Sequence, residues 1–150
     1  MPKTACTAKD HWNLPDRRRA ELIGGELWDL AVPTRVHQRI ISRLGHLLNA
    51  FMDARGGACE VYPTPFAVGL FADDSTIVEP DISVVCDGSK LSERGCEGAP
   101  DFVVEIVSKS TSGMGYVSKP SLYHSAGVRC WSSTPCGSAR TDMTLVQRCT

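Results

Sequence analysis

The chain has little of what most metal-holding or catalytic signatures require. Its seven cysteines include no Cys-x-x-Cys pair, so neither a zinc knuckle nor a disulfide framework is signalled. Cys59 and Cys86 flank or lie in strand-like runs and read as small buried hydrophobes. The four histidines, at 11, 37, 46 and 124, have no metal-ligand spacing. Lys109-Ser110-Thr111 has no glycine loop before it, and neither a Gly-x-Ser-x-Gly elbow nor a His-Glu-x-x-His helix occurs. No apolar run approaches membrane-spanning length, and residues 1–15 lack the apolar core of a signal peptide, so the expected location is cytoplasmic with no membrane partner. A net charge of −1 supplies no global positive field, so any nucleic-acid contact must come from a local patch.

What is present is one domain's worth of chain: 150 residues, 42% hydrophobic and 22% charged. Residues 1–13 are polar and expected to fray, with Trp12 pinning their end; 14–129 form the folded unit. Ala20 to Leu30 alternates about Gly24-Gly25, a hairpin signal. From Thr34 to about Ala54 the period becomes helical, with Val36, Ile40, Ile41, Leu44, Leu47, Leu48 and Phe51 on one apolar stripe. Thr34 caps its start, and Gly56-Gly57 stop it. Arg35, Arg39 and Arg43 make a second stripe, read as a solvated basic face, with a track along a phosphate backbone as the alternative. Glu60 to Phe71 reads as one long strand bent at Pro63 and Pro65, Asp87 to Pro100 as a polar loop, and Lys119 to Ala126 as a short helix.

Two β-branched runs carry one acid each. Asp81 opens Glu79–Val85, and Glu105 lies inside Asp101–Val107, between Val104 and Ile106. A carboxylate in such a run is costly to bury without a cation, a hydrogen-bond network or water. Two readings follow. The acids are satisfied separately, a strand-entry Asp and a Glu paired with an Arg; or they converge on a hard divalent cation, which takes few protein oxygens and completes its shell with water and phosphate.

Several segments in order decide between these by resemblance. Glu21-Leu22-Ile23-Gly24-Gly25-Glu26-Leu27, the helix start from Pro33 to His37, Val78–Val85, Ala99–Ile106, and Lys119 with Leu122-Tyr123 and Ala126-Gly127-Val128 together resemble the Uma-type family of endonucleases. That family is a branch of the PD-(D/E)XK nuclease superfamily, and the resemblance covers roughly residues 12–129. It implies an α+β, restriction-endonuclease-like fold, a central mixed sheet flanked by helices, with Asp81 and Glu105 side by side at the sheet's forked edge. It implies hydrolysis of DNA phosphodiester bonds, Mg²⁺ or Mn²⁺ as cofactor on Asp81 and Glu105, DNA as partner, and room for a homodimer. The superfamily's usual lysine position is Val107 here, and Lys119 occupies the place of a lysine migrated to the following helix. Pro120 makes Lys119 a helix-entry residue in this reading. Glu21 and His37 match family positions near the site. A silent domain that binds nucleic acid or self-associates is the alternative.

The tail, 130–150, departs from the rest: it holds three of the seven cysteines, and Cys130–Pro135 is a poor strand. Trp131–Pro135 encoded as TGG-TCG-TCG-ACC-CC reads Val-Val-Asp-Pro two bases later, the kind of closing strand the family has at this place. We therefore read the tail as shifted out of frame near Arg129, with the closing strand lost; the coding DNA tests this.

Overall fold

The computed structural model describes residues 5–106 and 114–133, excepting the side chains of 114–118 and 130–133. The Gly24-Gly25 turn, both residues at positive φ, joins β1 (Ala20–Ile23) to β2 (Glu26–Asp29) as the alternation predicts. A short helix, α1 (Ala8–Trp12), precedes them where fraying was expected. Cys6 and Ala8 donate backbone N–H bonds to the carbonyls of Gly25 and Asp74. His11, not Trp12, pins the segment: it is buried and bonds the Ala20 carbonyl at 2.8 Å.

Helix α2 (Arg35–Arg55) follows the expected boundaries closely, with the Thr34 hydroxyl accepting from the His37 N–H and Gly56 closing it in the left-handed region. The expected long strand is two strands. β3 (Glu60–Pro63) and β4 (Ala67–Gly69) belong to different sheets, separated by the Thr64–Pro65 cis bond. β5 (Ile77–Val78) and β6 (Ile82–Val85) split the Asp81 run in the same way. The 87–100 stretch, expected as loop, holds a 3₁₀ turn and two short strands, β7 (Leu91–Ser92) and β8 (Gly95–Glu97). Their pairing is carried by backbone, with Gly95 pressed so closely on Ala67 that a Cβ would lie 2.0 Å from its carbonyl oxygen. β9 (Phe102–Ile106) carries Glu105.

Two further expectations are corrected. Helix α3 runs Met114–Ser125 with Pro120 inside it, so Lys119 is an interior residue and not a helix-entry one. Proline removes one N–H bond but leaves the helix continuous where other contacts hold it. The closing strand is present: β10 (Arg129–Ser133) pairs parallel with β9. A parallel edge strand is held by backbone bonds, which polar residues supply as well as apolar ones. Residues 134–150, the greater part of the tail whose reading frame is in question, lie outside the described residues.

The strands form a six-stranded sheet, β2-β1-β5-β4-β8-β7, and a four-stranded mixed sheet, β10-β9-β6-β3. The smaller sheet is covered on both faces. Ile82, Val104 and Ile106 pack on Ile41 of α2. Val85 and Val103 face the other way, into a core with Val68, Val78 and Cys96 of the larger sheet and Tyr123 of α3. Cys59 and Cys86 are not separate buried hydrophobes: they are half-buried and joined by a disulfide. The register explains it, because Glu60 faces Val85 and the next pair outward is Cys59 and Cys86.

Candidate functional site

Antiparallel pairing sets the site. Ile82 lies opposite Val104, so one step along the same register places Asp81 opposite Glu105. Alternation puts both acids on the sheet face that α3 covers, with Ser83 and Val103. Neither is sealed: each side chain keeps 13% of its surface exposed.

Each acid is held by donors from other elements. Asp81 Oδ2 accepts the Ile106 N–H at 2.7 Å, and its Oδ1 lies 2.8 Å from His37 Nε2. His37 can reach because Thr34 caps α2 at this end and fixes the backbone of His37. Glu105 Oε1 accepts from the Tyr123 hydroxyl at 2.5 Å and lies 2.8 Å from Lys119 Nζ. Lys119 and Tyr123 are four residues apart on α3 and so share one face. Lys119 also bonds Glu21 Oε1 at 2.8 Å, and that same oxygen accepts the Glu79 N–H. Glu79 in turn pairs with Arg19 at 2.5 Å. An Arg partner was one expectation for Glu105; the arginine serves Glu79, and Glu105 has the lysine.

Burial pushes the Glu105 carboxyl above the ordinary carboxylate value, and the nearby Asp81 and Glu21 add to this against the pull of Lys119. Burial works against the Lys119 ammonium, but Glu105 and Glu21 outweigh it and hold the proton more tightly than on a free lysine. Lys119 is therefore a fixed cation here and not a base.

The five residues singled out in the sequence fall in two bonded groups, His37 with Asp81 and Glu21 with Lys119 and Glu105, brought side by side by the β6–β9 register. Tyr123 was missed as a participant. Its signal is its helical spacing from Lys119, which an apolar Leu-Tyr context hides. Glu79 and Arg19 were missed as well.

The donor set suits a hard cation. Three carboxylates, Glu21, Asp81 and Glu105, have one lysine between them, Lys119, which pairs with Glu21 and Glu105, while the separate Glu79–Arg19 pair is tied to Glu21 through the Glu79 backbone N–H. Ser83 Oγ, on the same face, is buried with no hydrogen-bond partner among the described residues, a polar position beside the acids. Among the described residues no group of three or more His, Cys, Asp or Glu is placed to hold a metal. A caged, zinc-like site is thus not what these side chains form. Mg²⁺ needs only one or two carboxylates, with water and phosphate for the rest, and Asp81 with Glu105 fits that requirement.

The class follows from fold and network together: an α+β, restriction-endonuclease-like chain with paired acids and a helix-borne lysine on one sheet face. Residues 9–130 match the model of the Uma2 family, described as "Putative restriction endonuclease". The chain belongs to this family. It is 26% identical over 123 residues to an uncharacterized protein of Synechocystis sp., covering 82% of this chain and 63% of that protein's length. Its fold is similar to the crystal structure of "a putative nuclease belonging to DUF820" from Anabaena variabilis, with a TM-score of 0.69 at 22% identity, covering 86% of this chain and 74% of the other. Among the described residues no helix is long and apolar enough to cross a membrane.

Proposed function

We propose that this protein is a nuclease that hydrolyses DNA phosphodiester bonds, with Mg²⁺ or Mn²⁺ held by Asp81 and Glu105. One observation carries the reading: the two acids fall opposite each other in the β6–β9 register, with the Lys119 ammonium 2.8 Å from Glu105. A cation bound there would lower the pKa of a coordinated water and offset phosphate charge.

The chain's own residues have distinct parts in this proposal. The Ile106 N–H and His37 orient Asp81, and Lys119 and Tyr123 orient Glu105, so both acids are positioned before substrate arrives. Lys119, held protonated, supports the negative charge that grows on the phosphate oxygens or orients the attacking water. Glu21 is a second carboxylate that holds Lys119 in place. The cytoplasm, where chromosomal or invading DNA would be met, is the location this reading carries with it.

The test is supercoiled plasmid DNA incubated with the purified chain and Mg²⁺ or Mn²⁺. Nicking or linearisation is expected, abolished by chelation and by Asp81→Ala or Glu105→Ala. DNA binding without cleavage, unchanged by both substitutions, would instead mark a silent nucleic-acid-binding domain.

A further inference from the structure

One exposed cation is fastened beside the acid cluster, and most of its donors are left over. Arg19 immediately precedes β1, and its guanidinium is tied to the two chain segments that meet at Asp81. Its Nη2 donates to Glu79 Oε2 at 2.5 Å and to Thr64 Oγ1 at 3.1 Å. Glu79 lies two residues before Asp81, and the Thr64 N–H bonds the Asp81 carbonyl at 2.9 Å. The Glu79 N–H in turn reaches Glu21 Oε1, the oxygen that also accepts from Lys119.

This fastening does not use the guanidinium up. Both bonds come from Nη2, and among the described residues Nε and Nη1 make none. Glu79 is met by one nitrogen and not by the two-pronged fork of a full arginine–carboxylate pair. The partners also differ in burial: the Glu79 side chain is 11% exposed and that of Arg19 41%, so the open end of the pair is the cation. Donors are therefore left for a second anion. Charge says which kind. Glu21, Asp81 and Glu105 repel an approaching polyanion, and a net charge of −1 gives no overall field to draw one in. Attraction has to be local, and Arg17, Arg18 and Arg19 are three consecutive exposed residues.

We infer that Arg19 binds a phosphate of the DNA backbone beside the one that is cut, with Glu79 and Thr64 as the tether that aims it. This rests on the nuclease reading and deepens it, since Arg19 touches the substrate and not the cation. A purely structural Arg19, serving only as counter-ion to Glu79, has a different signature: removing either partner would then do the same harm. In the phosphate-binding role only the arginine is needed for contact with DNA. Neutralising Glu79 takes a negative charge out of the polyanion's path.

Labelled duplex DNA of about 20 base pairs, titrated with the full chain in Ca²⁺ at about 50 to about 200 mM salt, gives the slope of affinity against salt by fluorescence anisotropy. One lost phosphate contact lowers that slope by about 0.9. Arg19→Ala should show this drop, with affinity about 10-fold weaker. So should Arg19→Gln, which keeps an amide donor for Glu79 and Thr64. Arg19→Lys should retain the slope, as should Arg55→Ala, which removes an equal charge from the far end of α2. Glu79→Gln should bind no more weakly than the wild type. An unchanged slope in Arg19→Ala and Arg19→Gln, an equal drop in Arg55→Ala, or a Glu79→Gln that loses as much affinity as Arg19→Ala would each overturn the proposal, while plasmid cleavage by the wild type keeps the nuclease reading standing. A wild-type chain that neither binds the duplex nor cuts plasmid would overturn both.

Discussion

The two ends of β6 make an instructive pair. At its start Asp81 stands opposite Glu105 of β9; just past its finish Cys86 stands opposite Cys59, ahead of β3. Each couple lies one step beyond the bonded pairs of an antiparallel ladder, where side chains still face each other. One couple is two like charges whose meeting costs energy unless a cation joins them. The other is a covalent bond that ties β3 to β6 whatever is bound. In the proposed function the start of the strand holds a ligand, whereas its finish is tied covalently.

Substitutions can separate these two roles. The largest effect is expected at the charged end, where Asp81→Ala or Glu105→Ala should lower plasmid cleavage by about 1,000-fold or more while the chain stays folded, Glu105→Ala with a lower melting temperature because Lys119 then keeps Glu21 alone. Loss of cleavage together with loss of folding would break the distinction. Next, Lys119→Ala should cost about 100- to 1,000-fold in cleavage rate, because a fixed positive charge at the phosphate is removed. Lys119→Met keeps length more nearly without charge and should be no better, as single-turnover rates would show. At the other end, Cys59→Ser with Cys86→Ser should leave cation affinity unchanged. It should cost about 3–4 kcal/mol in denaturant unfolding, the entropy of the loop of 27 residues' separation that the disulfide closes. The smallest effect should come from Tyr123→Phe, which removes one donor to Glu105 and should weaken Mn²⁺ binding about 10-fold, read by calorimetry.

The same contrast explains what could be read from the sequence. Asp81 and Glu105 stood out because a carboxylate in a β-branched run breaks the pattern and calls for a reason. Cys59 and Cys86 broke no pattern, and only the register reveals that they meet. Helix α2 and the Gly24-Gly25 hairpin were legible because period, cap and stop agreed. β7 and β8 were not, being two and three residues long and held by backbone pairing around Gly95. Pro120 misled because its local rule ends helices. The Lys119 and Tyr123 bonds to Glu105 anchor α3 on both sides of it. The apolar stripe of α2 was read correctly as a stripe, but sequence alone could not say that only part of it meets the sheet.

The central claim is that Asp81 and Glu105 share one cation. Isothermal titration of the metal-free protein with Mn²⁺ tests this directly. The account predicts one site per chain in the wild type, lost in Asp81→Ala and lost again in Glu105→Ala. A wild-type chain that takes no Mn²⁺, or a site that survives either substitution, would contradict it.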